Sequence, residues 1–212
     1  MIVRSTAGFN GGRATASFAA SGPYWSRNAT NWARCTGSGR VPTGPWARPG
    51  SGGKKVGKNP TDRGKNGTKR SVLVDERGGP LGLVIDGANR HDTKLLRATI
   101  EAIVVQRPEP TAHQPQHLCL DKAYDNPTGH ATVAATGYTG HIRKIGEEKA
   151  AVQHGKRRHK PRRWVVERTL AWLSKCRAIL VRYDKHDFNY LGLVQLACSL
   201  FWYRRLHRLG AT

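Results

Sequence analysis

Residues 69–86 have the sequence KRSVLVDERGGPLGLVID, in which two apolar runs flank a short turn-forming segment. The run at 69–75 predicts a strand, ERGGP at 76–80 predicts a hairpin turn, and residues 81–86 predict the returning strand. We therefore expect a β-sheet that begins with an antiparallel pair.

Helices and further strands alternate after this hairpin. The pattern predicts a helix over residues 92–106 with Asp92 as N-cap, a strand over 117–120, a helix over 126–135, a strand over 138–143, a basic loop over 146–161, and helices over 162–177 and 187–209. A hairpin followed by alternating helices and strands is typical of a mixed α/β layer fold.

The first part of the chain has a different composition. Residues 1–61 contain no Asp or Glu and are rich in Gly, Ser, Thr, Ala and Pro, without apolar periodicity. Such a segment buries too little apolar surface to offset the entropy of ordering it. We therefore divide the chain into a disordered basic segment, residues 1–52, and a folded domain, residues 53–212.

The overall charge points to a polyanionic partner. The 212 residues carry 36 Lys and Arg against 14 Asp and Glu, a formal net charge of +22. Nucleic acid is the simplest partner for so basic a chain. No stretch approaches the ~20 apolar residues that cross a bilayer, and the four scattered cysteines form no CxxC pair. A secretory signal, a membrane anchor and a disulfide framework are therefore not expected, and the expected location is the cytoplasm.

Two carboxylates stand out as candidates for chemistry. Asp121 follows the apolar run HLCL, where a strand end in an α/β sheet is a recurrent functional position. Glu167 lies in the apolar helical stretch RRWVVERTLAWL, four residues after Arg163 and so on the same helical face. Spacing alone leaves a second interpretation open, in which Arg163 and Glu167 form a surface ion pair and Asp121 is only a capping residue.

Clusters of cations surround these acids in the sequence. The set comprises Arg63, Lys65, Lys69, Arg70, Lys156, Arg157, Arg158, Lys160, Arg162 and Arg163. Two carboxylates that hold a divalent metal, flanked by cations for phosphates, suit phosphodiester cleavage. A solvated basic face that binds DNA without a reaction is the alternative. A zinc site at His113, His117 and Cys119 is a minor possibility, because these residues lie before and on a strand rather than on one helix.

Several segments in one order resemble a known protein family. They are NPTDRGKNGTKRSVLVDERGGPLGLVIDGANRHD at 59–92, LCLDKAYDNP at 118–127, HIRKIGEEK at 141–149, RRWVVERTLAWLSKCRAILVRYDK at 162–185 and NYLGLVQLACSLFWYRRLHRL at 189–209. Over residues 52–209 the chain resembles the DDE-type bacterial insertion-sequence transposases of the insertion-sequence-five family.

The resemblance implies a ribonuclease-H-like mixed sheet with flanking helices, in which three acids hold two divalent ions, Mg²⁺ or Mn²⁺. Asp121 with Lys122 and Tyr124 matches the motif of the second acid, and Arg163 with Glu167 matches that of the third. On this resemblance Asp121 and Glu167 are metal ligands, Arg163 orients Glu167, and Lys122 and Tyr124 support the strand end. The family pattern has a Lys where this chain has Ser174, with Lys175 one residue later.

The first acid of the family pattern is missing. The family has a segment resembling DGALGKARFGG where this chain has TGPWARPGSGG at residues 43–53. A GC-rich coding sequence for the family segment, read one base later, gives TGPWARPGSG, which is identical to residues 43–52. We infer that residues 1–52 are an out-of-frame translation in which Thr43 occupies the codon position of the acid. We then expect the first strand of the sheet to be missing or replaced, leaving a hairpin strand as an unprotected edge.

The resemblance implies DNA transposition, with cleavage at the ends of the element and transfer to target DNA. The expected partner is double-stranded DNA in the bacterial cytoplasm and nucleoid, and a homo-oligomer remains open. Because the first acid is absent, we expect this chain to be inactive or impaired. The alternatives are a non-catalytic DNA-binding remnant of a transposase and, from charge alone, an RNA- or ribosome-associated protein.

Overall fold

The computed structural model describes residues 34–42, 53–106, 109–112, 115–142 and 163–210, of which residues 34–42, 163, 209 and 210 are described by their backbone alone. The strands are β1 (Arg34–Pro42), β2 (Gly57–Lys58), β3 (Asn66–Val74), β4 (Pro80–Gly87), β5 (His117–Leu120) and β6 (Thr139–Ile142). The helices are α1 (Asp92–Glu101), α2 (Pro127–Ala135), α3 (Arg163–Ser174), α4 (Arg177–Leu180) and α5 (Asp187–Gly210), with a 3₁₀ turn at Lys122–Tyr124.

The strands form one mixed sheet in the order β2–β3–β1–β5–β6, and β4 also pairs with β3. The predicted hairpin is confirmed, since β3 and β4 are antiparallel with Thr68 opposite Gly87 and Leu73 opposite Gly82. β1 runs antiparallel to β3 and parallel to β5, and β6 runs parallel to β5. Helices cover both faces, which confirms the expected mixed α/β sheet with flanking helices.

One sequence-based expectation about the sheet is wrong. β1 lies between β3 and β5, so a strand occupies this position and β3 is not left as an edge of the sheet. The expected disorder of residues 1–52 is also wrong for residues 34–42, and the other residues of that segment lie outside the described part of the chain. The physical reason is that a sheet ladder joins backbone groups, which RCTGSGRVP supplies without an apolar pattern.

The two faces of the sheet bury separate apolar clusters. The first packs under α1 and α2 and contains Leu73, Leu96, Ile100, Leu118, Leu120, Tyr124, Val133 and Tyr138. The second packs under α3, α4 and α5 and contains Val72, Val74, Ile85, Val165, Val166, Leu173, Ile179, Tyr190, Val194 and Ala197. β3 serves both clusters, because successive strand residues point to opposite faces. We call the second face the α3 face.

Helix α1 begins and ends differently from the prediction. His91 is the N-cap, its ring nitrogen accepting from the backbone N–H of Thr93, and Asp92 is the first helical residue. The helix ends at Glu101, five residues before the predicted end, because Ile103 forms a β-bridge with Gly82. The bridge returns the chain to the sheet at Ile103, five residues before the next proline, Pro108.

Arg182 fastens three segments that are far apart in the sequence. Its side chain is fully buried and donates to the carbonyl oxygens of Lys55, Asp184 and Lys185 and, at 2.9 Å, to the Thr68 hydroxyl. These bonds join the segment before β2, the start of β3 and the connection between α4 and α5.

An ion pair reinforces this arrangement at its edge. Lys55 Nζ lies 3.4 Å from the Asp187 carboxylate at the start of α5. Desolvation acts to raise the pKa of Asp187, but the hydrogen bond and charge of Lys55 outweigh it and leave that pKa lowered. The carboxylate is therefore ionised in the fold at neutral pH, and its contribution to stability declines only as acidification protonates it.

The N-cap of α2 gives a first testable prediction. The Asn126 Oδ1 accepts from Gly129 N at 2.8 Å, and its Nδ2 donates to the Ala123 carbonyl at 3.1 Å and to the Thr93 hydroxyl at 3.2 Å. We expect Asn126→Ala to lower the free energy of unfolding by about 1 kcal/mol, the usual cost of losing such a cap. Urea unfolding followed by circular dichroism measures this loss. Asn126→Asp keeps the cap acceptor and should lose less; an equal loss would contradict a capping role.

Candidate active site

Asp121 lies immediately after β5 and remains in extended conformation, with φ −75° and ψ 163°. Its Oδ1 accepts from the backbone N–H of Lys122 at 2.7 Å and so caps the 3₁₀ turn. The side chain is half-buried. The capping role considered from the sequence is thus real, and it fixes the carboxylate at the strand end.

The alternation of β5 indicates which face Asp121 serves. Leu118 and Leu120 belong to the cluster under α1 and α2, whereas Cys119 packs against the cluster of the α3 face. Because residues two apart on a strand share a face, and Asp121 is still extended, we infer that its side chain lies on the same face as Cys119.

Glu167 is an exposed residue of α3, and the buried face of that helix holds Val165, Val166 and Leu173 against the sheet. α3 packs on β1 and β3, and β1 is the direct neighbour of β5. The fold thus brings Asp121 and the Glu167 helix to one side of the sheet. The side chain of Arg163 lies outside the described part of the structure.

Two hydrogen bonds next to Glu167 hold α3 on the hairpin turn. Arg168 Nη2 donates to the Arg77 carbonyl at 2.6 Å, and the Thr169 hydroxyl donates to the Gly78 carbonyl at 2.6 Å. Sequence reasoning missed both residues. The signal available was their position, since they directly follow the acid and their partners lie in the turn of the predicted hairpin.

Tyr124 is a buried hydroxyl close to two acids. Within the described ranges its hydroxyl has no hydrogen-bond partner. Burial raises the pKa of Tyr124, and the charges of Asp92 and Asp121 raise it further. The phenol therefore stays protonated at neutral pH. Its supporting role at the strand end stays a prediction.

Two of the predicted DNA contacts are wrong. Lys69 is 1% exposed, its Nζ donates to the Arg90 carbonyl, and it lies 3.0 Å from the Asp92 carboxylate. Arg70 is also 1% exposed and points to the α3 face, where its Nη2 donates to the Ser174 hydroxyl at 3.4 Å. Helices cover both faces of β3, so neither cation can reach a phosphate.

Arg70 is an unusual residue for a protein core. In the part of the chain that the structure describes, its Nε and Nη1 have no hydrogen-bond partner. Desolvation lowers the pKa of Arg70, while Tyr190, Cys198 and Cys176 nearby act in the opposite direction. Its single bonded partner, Ser174, stands where the family resemblance leads one to expect a lysine.

Other predicted contacts are on the surface. Arg63 and Lys65 lie in an exposed loop in which Arg63 has φ +48° and Gly64 has φ +70°. The backbone of Asn59 closes this loop by bonds to Gly64 and Lys65. Lys65 is 66% exposed and lies 3.5 Å from the Asp62 carboxylate.

The remaining cations are more dispersed. Lys175 is exposed directly after α3, and Lys122 is half-buried in the 3₁₀ turn. Lys156, Arg157 and Arg158 lie outside the described residues, as do Lys160 and Arg162. The structure thus supports surface positions for Arg63, Lys65 and Lys175 and leaves the 146–161 loop as an expectation.

Trp164 lies among apolar residues in the sequence but faces solvent. It is 51% exposed, and the Arg168 guanidinium lies over its ring at 4.8 Å from the centroid. Trp164 precedes Glu167 by three residues, so both occupy the solvent side of α3. Their helix therefore presents an aromatic ring, a cation and a carboxylate together.

The side chains near Asp121 and Glu167 decide whether this site could hold a metal ion. Among the residues the structure describes, no three His, Cys, Asp or Glu side chains lie close enough together to hold a metal ion. β1, the strand next to Asp121, contains no acid. Carboxylate oxygens are nevertheless the ligands that Mg²⁺ prefers, so Asp121 and Glu167 fit such an ion in kind, though not in number.

No helix in the described ranges is long and apolar enough to cross a membrane.

Comparisons with known proteins agree with this architecture. Residues 29–202 match the family described as the transposase DDE domain, a match that starts before the expected residue 52 and includes β1. A protein of Burkholderia cepacia, described as "Putative transposase for insertion sequence element IS402", is 33% identical over 166 residues, covering 77% of this chain and 73% of the relative. The chain belongs to the DDE transposase family.

Proposed function

We propose that the protein from which this chain derives cuts and transfers DNA strands at the ends of an insertion sequence, using Mg²⁺ or Mn²⁺. The observation that supports the proposal most is that Asp121 directly follows β5, whose Cys119 packs on the α3 face, and that the helix carrying Glu167 packs on this same face. Family membership supports DNA transposition as the general function.

Asp121 and Glu167 would be the metal ligands. A bound ion would activate a nucleophile and neutralise charge on the scissile phosphate. The cap on the Lys122 N–H fixes the Asp121 carboxylate, and the bonds of Arg168 and Thr169 to the hairpin turn fix the helix that carries Glu167. In this proposal Arg163 orients Glu167, and Tyr124 supports the strand end as a neutral phenol.

Among the residues that the structure describes, no third acid lies in the position that the chemistry needs. Asp62 is engaged with Lys65 in an exposed loop. Asp75 accepts from the backbone N–H groups of Arg77 and Gly79 in the hairpin turn and lies 3.5 Å from Arg205. Neither acid is on β1, the strand that neighbours β5, so we propose that catalysis by this chain is impaired.

A non-catalytic DNA-binding protein is the second candidate. Its support is the net charge of +22 together with the exposed cations of the 63–65 loop and Lys175. Incubating the purified chain with labelled DNA that carries both flanks of its gene, with Mg²⁺ or Mn²⁺, separates the two functions. We expect retention of the DNA without cutting. Cutting at the flanks would contradict the impairment, and absence of DNA binding would contradict both candidates.

The loop cations give a prediction about binding. We expect Arg63→Ala and Lys65→Ala each to reduce the slope of log affinity against log salt by about 1, as for loss of one phosphate contact. Lys94→Ala is the matched control, because Lys94 is an exposed cation of α1, which packs on the face of the sheet opposite α3 and Glu167. Fluorescence anisotropy with a duplex at several salt concentrations measures the slope. Equal slopes for all three variants would exclude the 63–65 loop from the interface.

A further inference from the structure

Two histidines on neighbouring strands face each other at the edge of the sheet. His117 begins β5, and His141 lies on β6 directly beside Cys119 in the parallel register. His141 Nε2 lies 2.9 Å from His117 Nδ1, and the ring centroids are 4.9 Å apart with the planes tilted by 49°. Both rings are accessible to solvent, His117 partly and His141 more fully.

The ring nitrogens of His117 and His141 are close enough together to bind one metal ion between them. Zinc–imidazole bonds are about 2.05 Å long, so two imidazoles on one tetrahedral ion have nitrogens about 3.3 Å apart. For an ion to replace the proton between them, the His117 and His141 nitrogens must separate by about 0.4 Å and the rings must rotate so that both lone pairs point at the ion. We propose that His117 and His141 bind a divalent transition-metal ion such as Zn²⁺, with water in the remaining positions.

This site is separate from the proposed catalytic acids. His117 is at the opposite end of β5 from Asp121, four residues or about 13 Å away along the strand. Its ligands also differ in kind, because imidazole nitrogens suit zinc, nickel and copper, whereas Mg²⁺ prefers carboxylate oxygens. A saturating concentration of Mg²⁺ therefore leaves the histidine pair available.

Binding of the ion would stabilise the edge of the sheet. Among the described strands, β6 is the last of the sheet and pairs only with β5. A metal ion that joins His117 to His141 links this edge strand to its neighbour. Because the two ligands are brought together only in the folded chain, binding stabilises the fold.

The test is zinc titration of the whole chain at pH 7.5 in millimolar Mg²⁺, by calorimetry and by thermal unfolding. We expect Zn²⁺ to raise the unfolding temperature, and His117→Gln and His141→Gln each to lose one equivalent of bound zinc and that rise. His207→Gln is the control, since His207 is an exposed histidine of α5. Because each ligand is on a different strand, either variant carries the test if the other fails to fold.

The opposite results are equally clear. If both His→Gln variants bind zinc with the same stoichiometry and gain the same thermal shift as the parent chain, the site does not exist. If His207→Gln loses as much bound zinc and thermal shift as the other two variants, the binding is not specific to His117 and His141. If Mg²⁺ alone reproduces the thermal shift, the effect belongs to carboxylates.

Discussion

Repairing the reading frame of residues 1–52, so that DGALGKARFGG replaces TGPWARPGSGG, should give a protein that cuts DNA at the flanks of its gene in Mg²⁺ or Mn²⁺. We expect the repaired protein to cut faster than the present chain by on the order of 10³-fold, the scale on which loss of one member of a catalytic unit lowers a rate. The reason is that two-metal catalysis stabilises both the attacking and the leaving oxygen, which requires ligands for both ions. Strand-specific labelling and gel electrophoresis measure the cutting.

The controls for this prediction are isosteric changes in the repaired protein. Asp121→Asn and Glu167→Gln should each abolish cutting while duplex binding is retained, because each removes a proposed metal ligand and keeps the size of the side chain. Equal cutting by repaired and present chains would refute the missing-acid argument. Sequencing the gene provides a check without protein, since the upstream alternative frame must encode a DGALGKAR-like segment.

Replacing the two buried arginines by methionine should have very different effects on the free energy of unfolding, with a large loss for Arg182→Met and little or no loss for Arg70→Met. Arg182→Met removes every bond that joins Arg182 to Lys55, Thr68, Asp184 and Lys185 and leaves their oxygens without that donor. We expect the free energy of unfolding to fall by about 3 kcal/mol or more. Arg182→Lys, which keeps the charge but not the planar fork, should recover little of the loss.

Arg70→Met removes a cation that has one weak hydrogen bond to Ser174. Desolvation lowers the pKa of Arg70, so the fold disfavours its charged form, and this cost is present at every pH below that lowered pKa. We expect the free energy of unfolding to change by less than about 1 kcal/mol, or to rise. Urea unfolding compares both variants; a large loss for Arg70→Met would reveal a partner of its guanidinium.

The local elements of the fold were predictable from the sequence because their signals are local. The hairpin of β3 and β4 follows from its turn residues, and α2 follows from the Asn126 cap with Pro127 in the first turn. β5 was evident from the short, mostly apolar run HLCL before Asp121. The candidate acids were located by local signals too, Asp121 as a charge at the end of an apolar run and Glu167 as a charge within an apolar helical stretch.

The failures concern partners that are distant in the chain. Lys69 and Arg70 look like surface cations, and only the helices on both faces of the sheet bury them; Asp92, the partner of Lys69, is 23 residues away. Trp164 lies among apolar residues in the sequence yet faces solvent. β1 has no apolar pattern, and its place between β3 and β5 depends on backbone pairing that no local signal records.

The Arg182 contacts also have a meaning for the order of events during synthesis. Arg182 reaches back 127 residues to Lys55 and 114 residues to Thr68. At about 5–20 residues per second, a ribosome needs on the order of ten seconds to add that length of chain. During this interval the start of β3 has been synthesised but lacks its contacts with Arg182, because contacts of such high sequence separation form late. The contacts of Arg182 with Lys55 and Thr68 therefore form only after the C-terminal quarter of the chain has begun to be synthesised. A product that stops before residue 182 lacks these contacts altogether.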